Sequence, residues 1–135
     1  PCVTGEPGGL VTADKWLQQW VPKILSSPAF KKDGLLVVTF DEAEAFGGGQ
    51  DASACCGEGP QVEPNTPMPG IFGPGGGRVG AVLVSPFIHG GSFNDTAYNH
   101  YGLLCSIEDV FGLEHLGYAA TTERCFGTDV YNKGV

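Results

Sequence analysis

The sequence predicts an α/β fold in which a mostly parallel sheet carries flanking helices and long loops pinned by disulfides. Three observations lead to it. The first is the run Leu35, Leu36, Val37, Val38, Thr39, Phe40, introduced by Gly34, β-branched in its middle and closed by the adjacent carboxylates Asp41 and Glu42. A continuous apolar run without polar alternation reads as a strand buried on both faces, as the strands of parallel sheets are. The second is a pair of helical stripes, one before this strand and one toward the end of the chain. The third is a stretch from residue 43 to residue 77, rich in glycine and proline, that holds Cys55 and Cys56. A loop of that length in a compact domain is a functional lid or an excursion held by crosslinks, and the cysteines favour the second.

Composition narrows the class. The chain has 135 residues, 41% hydrophobic and 16% charged, enough to bury a core of about one domain. Its formal net charge of -8, from 15 acids against 7 Lys and Arg, disfavours nucleic acid and anionic membrane as partners, because phosphate contacts need clustered cations. Any phosphate it handles must be small or held by a metal. No run approaches the roughly 18 apolar residues of a membrane helix, so no integral membrane segment is expected. The chain opens at Pro1, and a signal peptide or a larger amino-terminal portion is expected to have preceded it.

The 5 cysteines include no C-x-x-C pair and no zinc-type ladder with histidine, which points to disulfides and a secreted, oxidising setting. An odd count leaves at least one unpaired, with Cys2 the natural orphan. Adjacent cysteines seldom bond each other because the geometry is strained, so Cys55 and Cys56 are expected to have different fates. Cys125 is expected to pair with one of them and close the excursion, a crosslink worth roughly 2–4 kcal/mol. Cys105 is the candidate for a buried free thiol.

In chain order, residues 1–11 hold Gly5, Pro7, Gly8 and Gly9 and read as an irregular lead-in. Thr12 can cap a first helix with Asp14 in its first turn, and Trp16, Leu17, Trp20, Val21, Ile24 and Leu25 share one face. Pro22 should kink or restart that helix. Ser27–Pro28 reads as a cap followed by proline at the first helical position, giving a short turn through Phe30 before the central strand. Gly75, Gly77 and Gly80 satisfy a dinucleotide-binding spacing, but that motif needs a strand before it and a helix after it. Here the order is reversed, and the glycines read as a flexible approach to a second strand, Val79–Ser85, introduced by Arg78 and stopped by Pro86. Residues 86–96 are loop, with His89 beside Gly90 and Gly91. The sequon Asn94–Asp95–Thr96 matters only in a eukaryotic secretory host. Asn99 can cap a last helix whose stripe is Leu103, Leu104, Ile107, Val110 and Phe111 and which Gly112 ends. Residues 113–135 form an irregular tail that contains Cys125.

Asp41 and Glu42 sit at the carboxyl end of the central strand. Open α/β sheets bind ligands at that edge, so the pair is a candidate metal site or acid/base pair. The alternative is that the two acids only open a solvated loop.

Three blocks, in this order, carry a resemblance: ADKWLQQWVPKILSSPAFKKDGLLVVTFDEAE (13–44), GGGRVGAVLVSPFIHGG (75–91) and YNHYGLLCSIEDVFGLEHLGYA (98–119). Together they resemble the carboxyl-terminal half of the phosphoesterase family that includes bacterial acid phosphatases and non-specific phospholipases C, within the alkaline phosphatase-like superfamily. The resemblance implies that residues 1–135 are the carboxyl-terminal portion of one such domain, part of an alkaline phosphatase-like, mostly parallel sheet. It implies a divalent metal ion, its identity open, held by Asp41 and Glu42. Their hard anionic oxygens suit such an ion, which would bind phosphoryl oxygens in turn. It places His100 of YNHY near the active-site face as a catalytic candidate, able to donate to a phosphate or protonate a leaving oxygen from a helix N-terminus. The alternative for His100 is a loop hydrogen bond. Arg78 matches an arginine for which a structural salt bridge is favoured over phosphate contact. His89 and His115 match no family ligand and read as surface residues.

The chain also departs from the family pattern. Gly102 and Cys105–Ser106 stand where S-L-L-R-T has serine and Arg–Thr, and Gly80 replaces a common proline. The family's Glu–Asn ligands and its Ser or Thr nucleophile have no match in the chain. The expected function is therefore metal-dependent hydrolysis of a phosphate ester, with this segment supplying metal ligands and the missing amino-terminal half or another chain supplying the nucleophile. The alternative is a secreted non-catalytic binding or structural module that retains the fold.

Overall fold

A computed structural model describes residues 9–44, 49–56, 74–121 and 124–133, and the structural statements below concern those residues. The expected orphan Cys2 and the middle of the 43–77 excursion lie outside them. The element order is α1 (Gly9–Ser26), α2 (Pro28–Asp33), β1 (Leu36–Thr39), β2 (Ala81–Val84), α3 (His100–Phe111) and a short 3-10 turn at Gly117–Ala120.

The helix starts and stops follow side-chain chemistry. At α2 the Ser27 hydroxyl accepts the Phe30 N–H at 3.2 Å, and Pro28 follows at the first helical position, where no N–H is needed. At α3 the Asn99 side chain accepts the Gly102 N–H at 2.8 Å, and Gly112 closes the helix with φ 62°. The first helix differs from expectation. It begins at Gly9, so Thr12 lies inside it, and it continues through Pro22 to Ser26 without a restart. Pro22 removes one backbone donor from a helix whose other turns continue the ladder.

The sheet is the main correction. β1 and β2 pair antiparallel, with Leu36 opposite Val84 and Thr39 opposite Ala81, so the parallel arrangement is not formed between them. A parallel pair needs a crossover that carries the chain to the far end of the sheet. Here the excursion after β1 folds back at the same end: Ala43 donates to Gly76 O at 2.8 Å and Gly77 to Ser53 O at 3.0 Å, which delivers β2 running the opposite way. Burial differs accordingly. β1 is half-buried, and Val82 on β2 is 62% exposed.

The tightest packing lies along α3. Gly102, Cys105, Ser106 and Glu108 are buried on it, and Ala119 in the 3-10 turn joins them. The tail closes this face. Ser106 Oγ accepts the Phe126 N–H at 2.7 Å, and the Phe126 ring meets Tyr98 edge-on at 4.9 Å. The irregular tail is thus part of the core, which its lack of periodicity concealed.

The disulfides also differ from expectation. Cys125 bonds Cys105, and Cys55 bonds its neighbour Cys56. Cys105 is accordingly not a free thiol. The tail, once laid on α3 by Ser106, brings Cys125 over Cys105, whereas the excursion reaches α3 only at its N-terminal end.

Candidate functional site

β1 delivers Asp41 and Glu42 to the end of the strand pair, where the chain bends through residues 41–43. The Asp41 carboxylate turns back on its own backbone and accepts the Glu42 N–H at 3.0 Å. Both acids are exposed. Under them passes the glycine run. A Cβ on Gly76 would lie 3.4 Å from the Glu42 Cβ, and Gly77 takes φ +80° while its backbone packs against Asp51 and Ala43. Close backbone approach is therefore what these glycines provide, rather than flexibility.

Asp51 holds that crossing. Its carboxylate accepts the Arg78 N–H at 2.8 Å and the Ser53 N–H at 2.9 Å, and these bonds hold it down to about 2. Arg78 thus engages Asp51 through its backbone. The Arg78 charge adds to the lowering of Asp51, and among the described residues the ion pairs are Lys32 with Asp33 and His115 with Asp109. Nothing in the sequence marked Asp51, which lies in a stretch without periodicity.

α3 presents His100 to the same edge. The His100 ring places Nε2 2.8 Å from the Asp41 carbonyl oxygen. A carbonyl only accepts, so Nε2 carries the proton. Nδ1 is left as an acceptor when the ring is neutral and as a second donor when it is charged. The Cys55–Cys56 pair borders this contact, with Cys55 Sγ 3.4 Å from the Tyr98 carbonyl oxygen, two residues before His100. The structure therefore joins residues 59 positions apart in sequence, Asp41 and His100, at one end of the strand pair.

Asp41 and Glu42 suit a hard divalent cation by donor type and exposure. The described residues supply only these two there. Among the described residues, the group of three Asp, His or Cys side chains whose ligand atoms all lie within 4.8 Å of one another is Asp109, His115 and Cys125, at the opposite end of α3. His115 is half-buried and hydrogen-bonded to Asp109 at 2.8 Å, not a free surface residue. Its sequence signal was its position just beyond the helix-ending Gly112, which folds it back over the last turn. His89 is exposed, as expected.

Two exposed carboxylates thus follow β1, and the imidazole at the start of α3 meets the backbone carbonyl of the first of them. A model of the Phosphoesterase family matches residues 6–114, and the chain belongs to that family. The match takes in Asp41, Glu42 and His100 and stops before His115 and the tail. Comparisons with curated proteins and with solved structures give no match.

Proposed function

We propose that the chain is the carboxyl-terminal portion of a secreted, metal-dependent phosphoesterase domain of the phosphatase or phospholipase C kind. The reading rests on the 2.8 Å contact between His100 and the Asp41 carbonyl, which sets the two family blocks that carry chemistry against each other. Two disulfides support the oxidising setting, and no described helix is long and apolar enough to cross a membrane.

In this reading Asp41 and Glu42 hold a divalent ion together with ligands from outside the segment. When bound, that ion supplies charge neutralisation at the phosphoryl oxygens. Asp41 bonds its own bend and fixes the approach of Glu42. His100 is anchored through Nε2, so its proton-transfer atom is Nδ1, which as part of an imidazolium donates toward a phosphate or leaving oxygen. The nucleophile lies outside these residues.

The test uses the complete protein with an aryl phosphate, after chelation and re-addition of divalent ions. Asp41→Asn should lose metal-restored turnover and bound metal with unchanged circular dichroism. His100→Asn should lower kcat by about 10²–10⁴ while retaining metal, the range for a general acid. Wild-type turnover in Asp41→Asn would remove the metal-ligand assignment, and wild-type turnover in His100→Asn the proton-transfer role.

A further inference from the structure

The cluster at the carboxyl end of α3 is not used by the site above. His115 and Cys125 lie beyond the family match, which ends at residue 114, and Asp109 stands roughly 14 Å along the helix axis from His100 at 1.5 Å per residue. Asp109 Oδ1 and His115 Nε2 are 2.8 Å apart, and Cys125 Sγ completes a group within 4.8 Å. A tetrahedral zinc-type centre, with metal–sulfur near 2.3 Å and metal–nitrogen or –oxygen near 2.0 Å, spaces its ligand atoms about 3.3–3.6 Å apart. The three atoms need shifts of only about 1 Å to match it.

What withholds the site is the bond from Cys125 to Cys105. A disulfide sulfur carries no thiolate charge and is a poor ligand. We propose that Asp109, His115 and Cys125 form a redox-gated site for a borderline-soft divalent cation of the zinc kind, closed by the Cys105–Cys125 disulfide and opened by its reduction.

Two further observations point to a cation there. The Tyr131 hydroxyl is buried without a hydrogen-bond partner, and its ring lies 6.5 Å from that of Phe126, the neighbour of Cys125. It is a donor left over in this part of the molecule. Glu108, 3% exposed, uses one carboxylate oxygen to accept the Leu116 N–H at 3.1 Å, next to His115, while its Oε2 is buried without a partner. A cation held by Asp109, the next residue, would offset part of the cost of that second oxygen.

The gating step balances with a dithiol as reductant. A thiolate of the dithiol attacks the half-buried Cys125 sulfur, because Cys105 is 0% exposed. The S–S bond breaks, and Cys105 leaves and takes a proton. The second thiol of the reductant then displaces Cys125, so the dithiol becomes a cyclic disulfide and the chain gains two thiols. Cys125 releases its proton to solvent when it binds the cation, and a water can fill the fourth position.

Cobalt(II) tests this, because a thiolate ligand gives it a charge-transfer absorption. In the full chain, Cys105→Ser leaves Cys125 free without any reductant and keeps Cys55–Cys56 oxidised. It should bind one equivalent of Co²⁺ with that absorption, at least about tenfold more tightly than the oxidised wild type. Adding His115→Ala should abolish the signal. Absence of the band in folded Cys105→Ser, or its survival in the His115→Ala double variant, overturns the site. If Cys105→Ser does not fold, the Cys55→Ala, Cys56→Ala double variant reduced with a phosphine answers the same question. Without a reduction-dependent, His115-dependent band there, the proposal fails.

Discussion

Gly102, Cys105 and Ser106 replace side chains that the family resemblance leads one to expect, and all three serve the tail. A Cβ at residue 102 would lie 2.6 Å from the Arg124 carbonyl oxygen, Cys105 bonds Cys125, and Ser106 accepts from Phe126 while donating to Gly102 O at 2.6 Å. The three positions together make the surface of α3 on which Arg124, Cys125 and Phe126 lie. Ser106→Ala leaves the Phe126 N–H without its acceptor in a buried place. It should cost about 1–3 kcal/mol in chemical denaturation. Nearby, Asp129 accepts from the Tyr98 hydroxyl at 2.7 Å and the Asn94 amide at 2.8 Å, which holds its carboxyl at about 2 against an ordinary 3.8. A lowered carboxylate pKa contributes stability above the unfolded value and loses it as pH falls through the folded one. The wild type should therefore weaken between about pH 4 and 2. Asp129→Asn should flatten that part of the pH–stability curve. Tyr98, pushed up to about 12 by burial and then by Asp129, mirrors this in base: its contribution is present below about 10 and fades as pH rises toward 12.

At the scale of elements, caps decide more than periodicity does. Ser27 with Pro28, and Asn99 with Gly112, bound their helices where the sequence places them, because each supplies a specific orphan hydrogen bond or backbone conformation. Thr12 had the right chemistry for a cap, but the helix extends back to Gly9. Asn99 also caps the first turn of α3, from which His100 reaches the Asp41 carbonyl oxygen. Asn99→Ala should lower stability by about 1 kcal/mol and reduce turnover of the complete enzyme. Paired thermal melts and initial rates check both effects. Unchanged turnover with lowered stability would separate the cap from the site.

For the whole molecule, the described residues form a two-stranded sheet whose principal contact is strand with strand, while α1 packs on α2 and α3 on the 3-10 turn. Isolated two-stranded pairs are marginal. Phe40 is 60% exposed, Phe111 72% and Leu116 68%, and α1 has no fully buried residue. Apolar surface on this scale around unpaired strand edges is covered in stable proteins. These 135 residues expressed alone should therefore self-associate and melt without cooperativity. Sedimentation velocity and a thermal scan check this, and a monomer with a sharp transition would show that the segment is self-sufficient.

The sequence by itself determined the elements and the chemistry available to them. The apolar run before Asp41, the capped stripe after Asn99 and the order of three blocks were all legible, because each depends on neighbours within a few residues. The tertiary structure alone decided which way β2 runs, which cysteines meet, and that His100 touches Asp41 while His115 folds onto Asp109. Those outcomes depend on where a chain without periodicity turns back. Ala43 is tied to Gly76 and Gly77 to Ser53 by backbone bonds, the tail is tied at Phe126 to the Ser106 hydroxyl, and no local pattern encodes such partners.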